Sequence, residues 1–262
     1  MKTIKLLFTP FPYEIINRNI VIVMYIVQLV GLIALWYTLP AGVPKLDEII
    51  KSYPYIFKEL NFYSELETSF WLCIKALAIS SILCLIIGYL YTVSFFSLFG
   101  FLQSKFRYMA LVGLNMVFMR MGMSPDNLKL SLLVFGMSSF LMVSILGIID
   151  DKETGNKRRI ELNHARTINK NSWYILWEVI ILGKRDRVID AIAQSFAMSW
   201  SMLTMVENLA RSSGGIGVLM ADTSKILHFE SLFAMQSIVI VLGILIDLGI
   251  SKGIKKLICP YL

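Results

Sequence analysis

Apolar residues run almost unbroken for membrane length in six places along this chain, and polar residues collect in the gaps between them. The runs cover about 20–39, 67–93, 107–123, 128–149, 188–210 and 232–250. A helix needs about 20 apolar residues to cross the hydrocarbon core. The pattern therefore predicts an all-α integral membrane protein of six transmembrane helices in one domain, residues 1–262. The third run is the weakest, interrupted by Asn115 with Arg120 near its end. The first follows Lys2, Lys5 and Arg18 as a secretory signal would. It is longer than an h-region and no A-x-A-like cleavage site follows, so an uncleaved anchor is expected.

The gaps predict orientation, because lysine and arginine favour the cytoplasmic loops. Basic residues gather before the first run, at Lys105 and Arg107, between 150 and 187, and at Lys252, Lys255 and Lys256. These alternate as six spans with both termini in the cytoplasm require. The gap from Pro40 to Ser64 is acidic on balance and is expected outside. In it Leu46, Ile49, Ile50, Tyr53, Ile56, Phe57 and Leu60 recur at helical spacing, with a break expected at Pro54. Such a segment suits the outer membrane surface.

Composition agrees: the chain is 56% hydrophobic and 16% charged, against about 45–50% and about 25% in soluble domains. The net charge of +7 is spread over the gaps and is not interleaved with exposed aromatics, which argues against nucleic acid as a partner. Cys73, Cys84 and Cys259 imply no disulfide framework. The methionines read as adaptable packing. His164 and His228 fall on opposite sides of the expected membrane, so no metal site is predicted.

The gap from 150 to 187 is the longest cytoplasmic connection. Ala165, Ile168, Trp173, Leu176, Trp177 and Ile180 would line one side of two short helices. The turn between them falls at Asn169-Lys170-Asn171, since Asn tolerates positive φ. Asn171 or Ser172 can cap the second helix, and Gly183 can end it. Two readings of this basic hairpin stand: a docking element for a cytoplasmic partner, or an amphipathic element on anionic lipid.

The stretch Ala165-Arg166-Thr167-Ile168, with Trp173, Trp177 and Val179, resembles the coupling loop, or EAA motif, of ABC-importer permeases. It is most similar to the nitrate/sulfonate/taurine-type branch. Ala197-x-x-Trp200, Val206-Glu207 and Gly215-Ile216-Gly217-Val218-Leu219 resemble that branch's fifth span and glycine loop. The motif departs from the family at Asn163, where the family has Glu, at His164 for Ala, and at Asn169 for Gly. Leu182 replaces a proline. Asn169 and Gly183 keep the backbone requirements, whereas Asn163 removes a charge that could pair with a basic groove.

The resemblance implies a type I ABC importer permease fold in a bacterial cytoplasmic (inner) membrane. It implies an ATPase-coupling loop of Asn163, His164, Ala165, Arg166, Thr167, Ile168, Asn169 and Lys170, and a glycine loop of Gly214, Gly215 and Gly217. The implied partners are cytoplasmic ABC ATPase subunits, a second permease copy, an extracytoplasmic solute-binding protein and membrane lipid. ATP and Mg would be bound by the ATPase. This chain has no G-x-x-x-x-G-K-[ST] loop, so it is expected to hold no cofactor and to be no enzyme.

An ionisable group at mid-bilayer costs about 2.5–3.5 kcal/mol, so polar residues inside the runs are candidates for the pathway of a small solute, with Lys75 and Arg120 pointing to an anion. They are Glu207, Asn208, Gln194, Ser201 and Lys75. Glu207 can equally be an interfacial carboxylate bonded to the Ser212-Ser213-Gly214 backbone. Lys75 and Arg120 can snorkel outward, and small hydroxyl residues can simply ease helix packing. Two other function classes compete: a membrane-embedded enzyme acting on a lipid or isoprenoid, for which Asp150-Asp151 is the one acidic pair at a span's end, and a secondary transporter, which would call for internal symmetry.

Overall fold

The computed structural model describes residues 18–40, 42–91, 94–149, 183, 185–211, 214–249 and 253. Regular structure among the described residues is helical throughout. The α-helices are α1 (Arg18–Tyr37), α2 (Leu46–Glu59), α3 (Phe62–Tyr91), α4 (Ser97–Lys105), α5 (Leu111–Arg120), α6 (Pro125–Ile149), α7 (Arg185–Leu209), α8 (Ile216–Lys225) and α9 (Phe229–Leu248). Short 3-10 turns, Ser94–Phe96 and Phe106–Tyr108, flank α4.

Three of these helices, α3, α6 and α9, are long and apolar enough to cross a membrane. They match the predicted runs 67–93, 128–149 and 232–250, and the chain reads as a multi-pass membrane protein. Helix α7 is as long as α6, at 25 residues. Its Asp186, Asp190, Gln194 and Glu207 keep it out of the strongly apolar group. Helix α1 covers most of the first predicted run and is exposed along nearly its whole length. It touches the bundle through Trp36, which donates to the Pro44 carbonyl at 3.2 Å and meets Phe233 edge-on.

Small residues set the packing of the core. Helices α3 and α6 lie side by side and run the same way: Ser80 donates to the Val134 carbonyl, Cys84 to that of Ser138, and Gly88 faces Ile145. A Cβ on Gly88 would lie 2.7 Å from Ile145 Cγ2. Helix α7 runs against both, with Ser199 beside Cys73 and Glu207 beside Ser69. Helix α9 closes onto α7 where Trp200 donates to the Val239 carbonyl at 3.0 Å. Small side chains let helices approach closely in lipid, where apolar burial alone gives no drive.

Two expectations are corrected. Pro54 does not break the outward segment: α2 runs through it, because Ile49, Tyr53 and Ile56 dock on the bundle. Tyr53 and Ser237 of α9 share a hydrogen bond of 2.6 Å, and Pro54 itself points outward. The segment is thus held by α9 rather than lying on the membrane surface alone.

The third predicted run, 107–123, is not one span. Helix α5 has 10 residues, about 15 Å of rise, half of the hydrocarbon core. The return from α3 to α6 starts earlier, at α4, and climbs beside α6. Gly100 faces Met142, Gln103 donates to Ser138 at 2.8 Å, Phe106 packs on Phe135, and Leu111 lies against Gly136. Lys105 and Arg107, expected in a cytoplasmic connection, therefore sit beside the middle of α6. Asn115 turns inward with Leu114 and is buried.

Candidate functional site

The glycine loop and the start of α8 form the most polar buried region of the described bundle. Gly214 and Gly215 have φ of +72° and +111°, a backbone that only glycine adopts freely. Their turn leaves three successive N–H groups of the α8 N-terminus, those of Gly215, Ile216 and Gly217, pointing at α3 and α7. A helix start leaves such donors without intrahelical partners.

Side chains from two other helices satisfy all three. Gly215 N–H donates to Glu65 Oε2. Ile216 N–H donates to Ser69 Oγ at 2.9 Å, and the Ser69 hydroxyl in turn donates to Glu207 Oε1 at 2.5 Å. Gly217 N–H donates to Glu207 Oε2 at 2.6 Å. Carboxylates at this end also complement the positive end of the helix dipole. From the opposite side Lys129 of α6 donates to the Gly214 carbonyl. The Glu207 side chain is almost fully enclosed, at 1% exposure, and each of its oxygens is bonded. Lys129 is 3% exposed, with Glu207, Asp126 and Glu65 as its charged neighbours.

Gly217 serves packing. A Cβ there would collide with the Thr204 backbone of α7, so α8 starts in direct backbone contact with α7. The Gly-Gly-x-Gly spacing therefore does two jobs, a left-handed turn and a close helix crossing. At its far end α8 is tied back by Asp222, which bonds Arg211 at 3.1 Å and Lys225 at 3.0 Å. The Lys225 hydrogen bond, with the charges of Lys225 and Arg211, holds the exposed Asp222 carboxyl below its usual range. That tie is intact at neutral pH and weakens as pH falls through the lowered value.

Beside this hub opens a cleft of about 420 Å³, lined by Glu67, Thr68, Trp71, Leu72 and Lys75 of α3, by Asp126 and Lys129 of α6, by Glu207 of α7, and by Gly214 and Gly215. Two of the pathway candidates, Glu207 and Lys75, thus share one cavity. Asn208, Gln194 and Ser201 do not; they lie on the exposed face of α7. Asn208 accepts from Arg211, and Ser201 donates to the Met198 carbonyl of its own helix. Arg120 is exposed at the end of α5 and is not part of the cleft lining. The coupling-loop residues Asn163 to Lys170 lie outside the described residues.

Glu65, Ser69 and Lys129 were not singled out from the sequence. Lys129 carried a signal, since a lone cation at the edge of an apolar run asks for a partner. Glu65 and Ser69 are four apart and share a helix face, but nothing local shows what that face meets. Among the described residues no group of three or more His, Cys, Asp or Glu is arranged to hold a metal ion. Comparison with known proteins finds no matching family model, curated protein or solved structure.

Proposed function

We propose that this chain is the permease subunit of an ATP-driven importer, building the path of a small solute and coupling it to a separate cytoplasmic ATPase. The resemblance of the Asn163–Lys170 segment and of the glycine loop supplies the family. Helix α7 is the observation that carries the mechanism. It starts just after the segment resembling a coupling loop and continues unbroken for 25 residues, about 37 Å. At its far end Glu207 is bonded into the α8 N-terminus.

A push delivered at the start of α7 would then reach the opposite end of the bundle along one helix. ATP-driven closure of the ATPase would bias α7 between two positions. The polar hub would tip with it, opening or sealing the cleft. Such a switch needs differential contacts in the two states, and the hydrogen bonds among Glu65, Ser69, Glu207 and the α8 N-terminus are groups that can differ.

The test is co-purification. The tagged chain, expressed with its chromosomal neighbours, is expected to bring down an ATPase subunit, and Ile168→Glu is expected to abolish that while leaving membrane insertion intact. An ATPase retained in full by Ile168→Glu would remove the coupling assignment. Absence of any ATPase with the unaltered chain would remove the importer reading.

A further inference from the structure

We infer that the break between α4 and α5, residues 105–110, faces a water-filled path at the middle of the membrane rather than lipid, with Lys105 and Arg107 as its charged lining. Depth, exposure and backbone geometry carry this; the importer reading bears only on what the path conducts.

Depth comes from α6, which runs from Pro125 to Ile149. Phe106 packs on Phe135 and Leu111 lies against Gly136, both within two residues of the midpoint of α6. Half of the hydrocarbon core is about 15 Å. A lysine or arginine side chain reaches only about 6–7 Å, so neither cation can snorkel to a headgroup from this depth. Both fold back on their own segment. Lys105 lies over the Phe101 ring at 5.1 Å, and Arg107 lies over the Tyr108 ring at 4.8 Å and donates to its hydroxyl at 2.7 Å. Both are exposed, and neither pairs with a carboxylate among the described residues. Lipid strongly disfavours exposed cations without a counter-charge at this level, and water removes the penalty.

The backbone leads to the same place independently. After the 3-10 turn Phe106–Tyr108 the chain is extended at Met109 and Ala110, and α5 starts with no side-chain cap. The N–H groups of Leu111, Val112 and Gly113 find no acceptor among the described residues. At the start of α8 the corresponding donors are met by Glu65, Ser69 and Glu207; at α5 no side chain is supplied. Non-helical backbone with open donors persists at membrane depth only when protein encloses it or when it lines water. Tyr108, Met109 and Ala110 are exposed, so the described bundle does not enclose it. Gly136 joins the break to α7: a Cβ there would lie 3.5 Å from Met202 and 3.7 Å from Leu111. Movement of α7 would therefore reach the path directly.

Cysteine accessibility in membrane vesicles, with reagent on both sides, tests this. In a background carrying Cys84→Ser and Cys259→Ser, the single variants Lys105→Cys, Arg107→Cys and Ile82→Cys are treated with a charged methanethiosulfonate. That reagent enters water but not lipid, and it reacts with the thiolate. Ile82 is the control, exposed on α3 level with the break, between the Ser80–Val134 and Cys84–Ser138 contacts. Cys73 is buried and is expected to stay unlabelled. Lys105→Cys and Arg107→Cys are expected to react at least about tenfold faster than Ile82→Cys, because a thiol held in lipid stays protonated. Depth is checked in the same background by pairing Gln103→Cys with Ser138→Cys, whose native side chains are bonded at 2.8 Å. Oxidation is expected to join that pair within one chain.

Labelling at 105 and 107 no faster than at 82 would overturn the inference. So would failure of the 103–138 pair to join, since the cations would then lie at another depth. A chain that labels at the break but carries no ATPase keeps the path and loses the importer reading. One that carries an ATPase and stays unlabelled at the break loses only the path.

Discussion

Gly215 and Gly217 belong to one short motif, yet a methyl group is excluded from each for a different reason. At Gly215 the backbone sits at φ +111°, and a Cβ would lie 2.5 Å from the Glu207 carboxyl carbon. At Gly217 the Cβ would enter the Thr204 backbone, which cannot yield without moving α7. Gly215→Ala is expected to destabilise the chain by about 1–3 kcal/mol, and Gly217→Ala by more. Gly113, in the first turn of α5 with open space around it, is the control: Gly113→Ala is expected to leave stability unchanged or raise it by up to about 0.5 kcal/mol. Unfolding of the detergent-solubilised variants measures all three. Equal stability of Gly215→Ala and Gly113→Ala would show that the hub is not built as described.

Between elements, the α3–α6 contact is the tightest in the smaller core cluster, which holds Cys84, Leu141, Met142, Ile145, Ile149 and Ala191. Gly88 lets Ile145 lie against the α3 backbone. Gly88→Ala is expected to destabilise despite the better helix propensity of alanine, because Ile145 is 5% exposed and has little room to retreat. Ile145→Ala alone should cost about 2–5 kcal/mol through lost burial. Combined, the two should cost less than their sum by about 0.5–3 kcal/mol, since the new methyl would occupy space the old side chain left. A double-mutant cycle by denaturant titration reads this directly, and simple additivity would mean the helices are not in contact there.

For the whole molecule, the question is whether α7 carries motion from one end of the bundle to the other. Ser201 sits in the second half of α7, two turns before its end, on the exposed face, and its hydroxyl bonds within its own helix. Ser201→Pro removes a backbone donor and kinks the helix at a cost of about 3 kcal/mol, while leaving both ends of α7 chemically unchanged. On the proposed importer reading, uptake by membrane vesicles holding the chain and its ATPase is expected to fall strongly while the ATPase stays attached. Uptake at the unaltered rate would show that the two ends are not joined through this helix.

The helical class and three of the membrane-length runs were legible in the chain itself, because the bilayer acts as a uniform solvent and twenty apolar residues meet it the same way wherever they stand. The glycine loop and Glu207 were singled out on the resemblance, and their contact with one another is what the structure adds. Hydropathy misjudged the third run because it registers apolar content and not direction; α4 and α5 are apolar enough to be counted, but their path beside α6 follows from where Gly100, Phe106 and Leu111 find partners. Pro54 was misread for a similar reason, as docking on α9 outweighs one lost backbone bond. Above all, the partnership of Glu65, Ser69, Lys129 and Glu207 joins residues up to 142 positions apart. No local pattern links them. They meet because α3, α6 and α7 pack as they do, and it is that packing, not any one segment, that turns scattered charges into a lined cleft.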